Sequence, residues 1–109
     1  MQQIAPETSP VQLAAQHPVL ILQFGSQSCA PCKAIHARLD RWLDLHPAVC
    51  GVYVPIEDFP QLAAQNQVFT VPTVLVYVDG RCTLRESGYF SLDELLAQAE
   101  RYLDLLGLD

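Results

Sequence analysis

Positive charge is scarce in this chain. Among its 109 residues six are Lys or Arg and twelve are Asp or Glu, the formal net charge is -6, and Lys33 is the only lysine. Binding to nucleic acid or an anionic membrane exchanges clustered cations for counterions, so neither partner is expected. Long apolar runs are missing as well: the stretch at 19–22, with Phe24 just beyond, falls far short of the roughly 20 residues that span a bilayer. The opening MQQIAPETSP lacks the basic residues that precede the apolar core of a secretory signal, and a cytoplasmic setting is expected. Cysteine occurs at only four positions, Cys29, Cys32, Cys50 and Cys82, far below the density of a domain built on disulfides. What the chain does have is apolar material, 50% hydrophobic residues against 17% charged, enough to bury a core. The expected organisation is one domain over residues 1–109, monomeric, without repeats or linkers.

The order of elements follows from local signals. Ser9-Pro10-Val11-Gln12 sets a capping serine, a proline at the first helical position and glutamine at the third, so a helix to about residue 16 is predicted, stopped by His17-Pro18. Residues 19–24 are β-branched and almost continuously apolar, the pattern of a strand covered on both faces and placed at the sheet's centre. Cys32, Ile35, Leu39, Trp42 and Leu43 then recur at helical spacing, predicting a helix over 30–45 with Trp42 in the core. A second strand is predicted over 51–56, parallel to the first through a right-handed crossover. A short helix follows from Pro60, a strand over 71–78, a hairpin at Asp79-Gly80 and an antiparallel return over 81–86. Ser91-Leu92-Asp93-Glu94 opens a last helix that Gly107 ends.

One constellation carries chemistry. Cys29-Ala30-Pro31-Cys32 falls directly after a buried strand and at the first turn of a helix. Free backbone N–H groups and the positive end of the helix dipole stabilise a thiolate there, so Cys29 is the candidate nucleophile. Cys32, three residues on and one turn inward, is the candidate resolving thiol. The plain alternative is a pair of buried small hydrophobes. A zinc site would need four ligands, and with no second C-x-x-C and only His36 nearby the set is incomplete, so no metal is expected and His36 reads as a helix-surface or partly packed residue.

In motif order and spacing the chain resembles the thioredoxin family over nearly its whole length. The apolar strand at 19–24, Cys29-Ala30-Pro31-Cys32 with Lys33 after it, Val71-Pro72-Thr73 about forty residues on, Asp79-Gly80, Gly88 and the last helix carry that likeness. It implies an α/β thioredoxin fold, a central mixed sheet of four to five strands with helices on both faces. It also implies a cis bond at Pro72 and pairing of the Val71 backbone with a substrate strand, with Ala30, Pro31 and Gly88 beside it. The alternative for Pro72 is a plain strand start, since most X–Pro bonds are trans.

The departures are specific. Where the family usually holds a buried aspartate six residues before the first cysteine, paired with a lysine on the next strand, this chain has Gln23 and Tyr53. A neutral pair can hydrogen-bond without the desolvation cost of buried charges, but it cannot take a proton from Cys32, which is left to water or the leaving thiolate. The family's tryptophans near the strand end and before the first cysteine are Gly25 and Ser28, giving a smaller and more polar rim. Cys50 and Cys82 belong at the other end of the sheet, on strands separated by two others or about 14 Å, beyond disulfide reach, and both read as packing residues.

The resemblance implies a thiol–disulfide oxidoreductase, a protein-disulfide reductase with no cofactor beyond a redox-active Cys29–Cys32 disulfide. Its partners would be protein disulfides and a thioredoxin reductase or other dithiol donor. Two rivals stand beside it. One is a binding or redox-sensing module on the same fold with little turnover. The other is a glutathione-linked, glutaredoxin-like enzyme, which the acidic surface and the lack of basic residues near the motif apart from Lys33 disfavour.

Overall fold

The computed structural model describes residues 1–108; Asp109, the last residue of the expected domain, lies outside the described residues. Five strands, β1 (Gln2–Gln3), β2 (Val19–Gly25), β3 (Val49–Pro55), β4 (Thr73–Val78) and β5 (Arg81–Ser87), form one mixed sheet in the order β1-β3-β2-β4-β5. Four helices, α1 (Pro10–Gln16), α2 (Ala30–Asp44), α3 (Pro60–Gln65) and α4 (Leu92–Leu106), cover it. β2 lies at the centre, parallel to β3 and antiparallel to β4, and all seven of its residues are buried.

Alternation along the strands divides the core in two. Leu20, Leu22, Phe24, Val52, Val54 and Leu75 face α1 and α3, where Ala14 and Ala63 meet them. Val19, Ile21, Val74 and Val76 face α2 and α4, against Leu39, Leu95, Leu96 and Leu103. Side chains of this size, fully buried, contribute about 1.5–3 kcal/mol each relative to exposure. The sheet is therefore a rigid slab whose ends can carry loops.

The caps explain the helix ends. Ser9 accepts from the Gln12 amide while the Gln12 side chain returns to the Ser9 amide, a reciprocal box. Ser91 caps α4 through the Glu94 amide, and Gly107 ends it in the left-handed conformation at φ 70°, where the Leu108 amide reaches back to Leu103. Asp79 and Gly80 both have positive φ, the form of a two-residue turn whose twist suits the flanking strands.

Several expectations need correction. β1 is a two-residue parallel edge strand beside β3, invisible in an exposed Gln-Gln pair and held by the buried Ile4 that follows. β3 starts two residues earlier than predicted, because pairing with Val19 and Leu20 extends back to Val49 and Cys50. β4 begins at Thr73 rather than residue 71, since Val71 and Pro72 are taken up by the loop described below. Trp42 is only partly buried, stacked on His46 at 3.9 Å between ring centroids. Cys82 is exposed instead of packed. It lies opposite Tyr77, on the α1 and α3 face, but on β5, the edge strand of the sheet.

Candidate active site

Both loops of the site leave the same end of the sheet. β2 finishes at Gly25, and residues 26–28 turn back so that the Cys29 amide donates to the Ser26 carbonyl at 3.2 Å. Glu57, just beyond β3, braces this turn by accepting from the Gln27 amide at 2.9 Å. Cys29 is the residue that caps α2, with extended backbone at φ -96° and ψ 99°, and the helix starts at once with Ala30 and Pro31. Proline suits that position, where its missing N–H would have no helical partner.

Cys29 and Cys32 form a disulfide, with Cα atoms 5.2 Å apart. Cys29 is half-buried, whereas Cys32 is 1% exposed. The Cys29 Sγ accepts from the Cys32 amide at 3.2 Å. That is the capping interaction of a helix N-terminus, and when the pair is reduced the same amide and the helix dipole favour Cys29 as the thiolate. Sequence order and helix start thus assign different environments to two identical side chains.

Beneath the pair, Gln23 is fully buried and its Nε2 donates to the Cys32 carbonyl at 2.8 Å, while its Oε1 has no partner among the described residues. Tyr53 is its neighbour across β2 and β3, yet the two side chains do not hydrogen-bond to one another among the described residues. Tyr53 instead leans over Gly25. A Cβ at position 25 would come within 2.8 Å of the Tyr53 hydroxyl and 3.1 Å of the Cys32 Cβ, so any larger residue there forces the tyrosine to shift. Burial raises the Tyr53 phenol above its ordinary range, with the Glu57 carboxylate adding to the effect. The Tyr53 ring thus takes up the space that a side chain at position 25 would need.

The second loop reaches this end through the β2–β4 register, which sets Phe24 opposite Thr73 and so brings Val71-Pro72 level with Gly25. The Val71-Pro72 peptide bond is cis. Gly88, at φ 69°, donates its amide to the Pro72 carbonyl at 2.9 Å, and Thr73 Oγ1 donates to the Thr70 carbonyl at 2.7 Å and lies 2.8 Å from Ser87 Oγ. Pro72 is buried and Val71 half-buried, while Ala30, Pro31 and Gly88 are exposed. The structure therefore gathers Cys29, Cys32, Val71, Pro72, Ala30, Pro31 and Gly88 at one end of the sheet, with Gln23 and Tyr53 under them.

The family model described as Thioredoxin matches residues 2–101. The chain belongs to the thioredoxin family. It is 28% identical over 86 residues to the thioredoxin-like protein YdfQ of Bacillus subtilis, covering 79% of this chain and 77% of that protein. It is 31% identical over 64 residues to thioredoxin-2 of Pyricularia oryzae, covering 59% of this chain but spanning only 37% of that relative's length. In fold it matches the crystal structure of Chlamydomonas reinhardtii thioredoxin f2 with a TM-score of 0.81 at 22% identity, over 94% of this chain and 95% of that one.

Within this thioredoxin-family site the structure adds Phe69, Tyr89 and Asp40, and gives His36, read from the sequence as a helix-surface or partly packed residue, a place beside the disulfide. Phe69 is 83% exposed and Tyr89 106% exposed, and they flank Val71-Pro72 and Gly88 along the chain, so apolar surface near the second loop offsets the polar Ser28. His36 meets Tyr53 edge-to-face at 5.2 Å and stands 3.3 Å from Asp40. Cys32, Lys33, His36 and Tyr53, with Ser26 and Gln27, line a cavity of about 250 Å³ beside the disulfide. The available signal was the spacing of Cys32, His36 and Asp40, four residues apart along one helix face.

Proposed function

We propose that this chain is a thiol–disulfide oxidoreductase that reduces disulfides in other proteins. The observation that carries the reading is the Cys29–Cys32 disulfide at the head of α2, with the Cys29 sulfur held against the Cys32 amide. The Cys29 thiolate attacks one sulfur of the substrate disulfide, the substrate's S–S bond breaks, and its other sulfur leaves as a thiolate. Cys32 then attacks the Cys29 sulfur of the mixed disulfide, releasing the second substrate thiolate and closing the Cys29–Cys32 bond. Two electrons pass to the substrate, and a dithiol donor such as a thioredoxin reductase restores the pair.

Substrate backbone lies along Val71 and Pro72, with Ala30, Pro31 and Gly88 forming the remaining contact surface. This assignment is supported by the shared sheet end and by the exposure of Ala30, Pro31 and Gly88. A reducing, cytoplasmic setting suits the activity, because there a cysteine pair cycles rather than serving as a permanent staple.

The test is reduction of insulin by dithiothreitol. The parent protein accelerates it and Cys29→Ser does not. A second reading, a binding module with little turnover, is favoured by the neutral Gln23 where the family holds an acid. It predicts instead a partner complex that survives Cys29→Ser and insulin reduction no faster than with dithiothreitol alone.

A further inference from the structure

In the reductase reading no side chain beneath Cys32 serves as its proton acceptor, since Gln23 is an amide whose Nε2, among the described residues, donates to the Cys32 backbone carbonyl. The same helix offers one. Side chains on a helix lean toward its N-terminus and over the turn before them. Asp40 accordingly lies against the Nδ1 side of His36, 3.3 Å away, and His36 follows Cys32 by one turn on the same face of α2. Residues four apart on a helix face have Cβ atoms about 5–6 Å from one another. Cys32 and His36 also line the same cavity of about 250 Å³, roomy enough for ordered water, and the imidazole, 34% exposed, meets Tyr53 of that lining edge-on.

Resting on that reading, we propose that His36, oriented by Asp40, takes the proton from Cys32 across this cavity during resolution of the mixed disulfide. The carboxylate on Nδ1 holds that proton in place and leaves Nε2 as the acceptor. The Cys32 S–H proton passes to Nε2, directly or through one water. The resulting thiolate attacks the Cys29 sulfur, the Cys29–substrate bond breaks, the Cys29–Cys32 bond forms, and the departing substrate thiolate collects the proton from the imidazolium. Atoms and electrons balance with no added oxidant or reductant. The charged and titratable groups around the ring are Lys33 and Asp40 on α2, the Met1 amino group bound to Asp40, Tyr53 on β3 and, beyond it, Glu57.

The reduced protein, with Cys50→Ala and Cys82→Ala so that only the pair reacts, is mixed with Ellman's reagent in a stopped-flow instrument. The first equivalent of thionitrobenzoate reports attack by Cys29, the second resolution by Cys32. His36→Gln is expected to leave the first phase unchanged and slow the second by about a hundredfold at pH 7, the low end of a general-base effect. The second phase of the parent should depend less steeply on pH than that of His36→Gln. In His36→Gln it should climb by about tenfold per pH unit toward the ordinary thiol range. Asp40→Asn should fall between the two, and added imidazole should restore His36→Ala. A second phase with the same rate and pH profile in His36→Gln as in the parent overturns the proposal while leaving the reductase reading intact. A parent that shows no second phase overturns both.

Discussion

The two ends of this sheet carry two cysteines each, and they differ in every respect that governs sulfur chemistry. At one end Cys29 and Cys32 are three residues apart, joined, and set on the first turn of a fifteen-residue helix. At the other, Cys50 and Cys82 lie in one row across the sheet, with Leu20 of β2 and Tyr77 of β4 between them, and remain free thiols. Burial pushes the Cys50 thiol up, and partial desolvation against the sheet pushes the Cys82 thiol up although its residue is exposed, Arg85 pulling it back in part, so neither sulfur favours the thiolate. The contrast teaches that reactivity here belongs to the position and not to the residue type. A helix start supplies amides and dipole to Cys29, whereas a strand row supplies only neighbours.

The largest effect that could break this contrast is on activity. Cys29→Ser should remove insulin reduction altogether, and Cys32→Ser should leave the first attack intact while accumulating a mixed disulfide with substrate, detected as an added mass that reductant removes. The double replacement Cys50→Ala, Cys82→Ala should retain the parental rate. A rate that follows the distal cysteines instead would place the chemistry at the wrong end.

The active end should also be the tighter one. Gly25→Ala pushes a methyl group against the Tyr53 ring and the Cys32 Cβ, and should lower stability by about 1–2 kcal/mol in urea unfolding. Adding Tyr53→Phe removes the nearest atom and should recover part of that loss. Equal stability of Gly25→Ala and the parent would show that the tyrosine does not fill the space left by a missing side chain.

A smaller effect sharpens the distal end. Because the folded protein holds the Cys50 and Cys82 thiols above their ordinary range, the unfolded chain releases those protons first as pH rises. Stability is therefore complete below the ordinary thiol range of about 8.5 and falls as pH climbs through it toward the raised values. Oxidised protein should show this decline in thermal unfolding above about pH 8.5, and the Cys50→Ala, Cys82→Ala protein should not show the thiol part of it. The raised Tyr53 and Tyr77 phenols extend the decline to higher pH in both. Smallest of all, cutting the exposed Arg38–Asp93 pair that links α2 to α4 with Arg38→Ala should change stability by under about 1 kcal/mol.

Much of this was legible in the residues. Strands β2 and β4 and helices α2 and α4 are long enough for periodicity, caps and turn residues to agree, and the cysteine pair declares its place because strand, turn and helix signals converge on it. What was hidden depends on a third dimension. The Gln2–Gln3 strand exists only because β3 offers an open edge and Ile4 anchors it. Cys82 looks like a packing residue until β5 proves to be the edge of the sheet. Gln23 and Tyr53 are visible as substitutions, but that one ties down the Cys32 backbone while the other covers Gly25 follows from rotamers that no local pattern encodes.

The central claim is that place makes Cys29 the reactive sulfur, and site-resolved alkylation tests it most directly. Reduced protein is treated with a limiting amount of iodoacetamide at pH 6.5 to 7, below the usual thiol range of about 8.5, and each cysteine is quantified by peptide mass spectrometry over time. The account predicts that Cys29 is modified at least about tenfold faster than Cys50 or Cys82, as a thiolate stabilised at a helix start should be. Labelling of the exposed Cys82 as fast as Cys29 would contradict it.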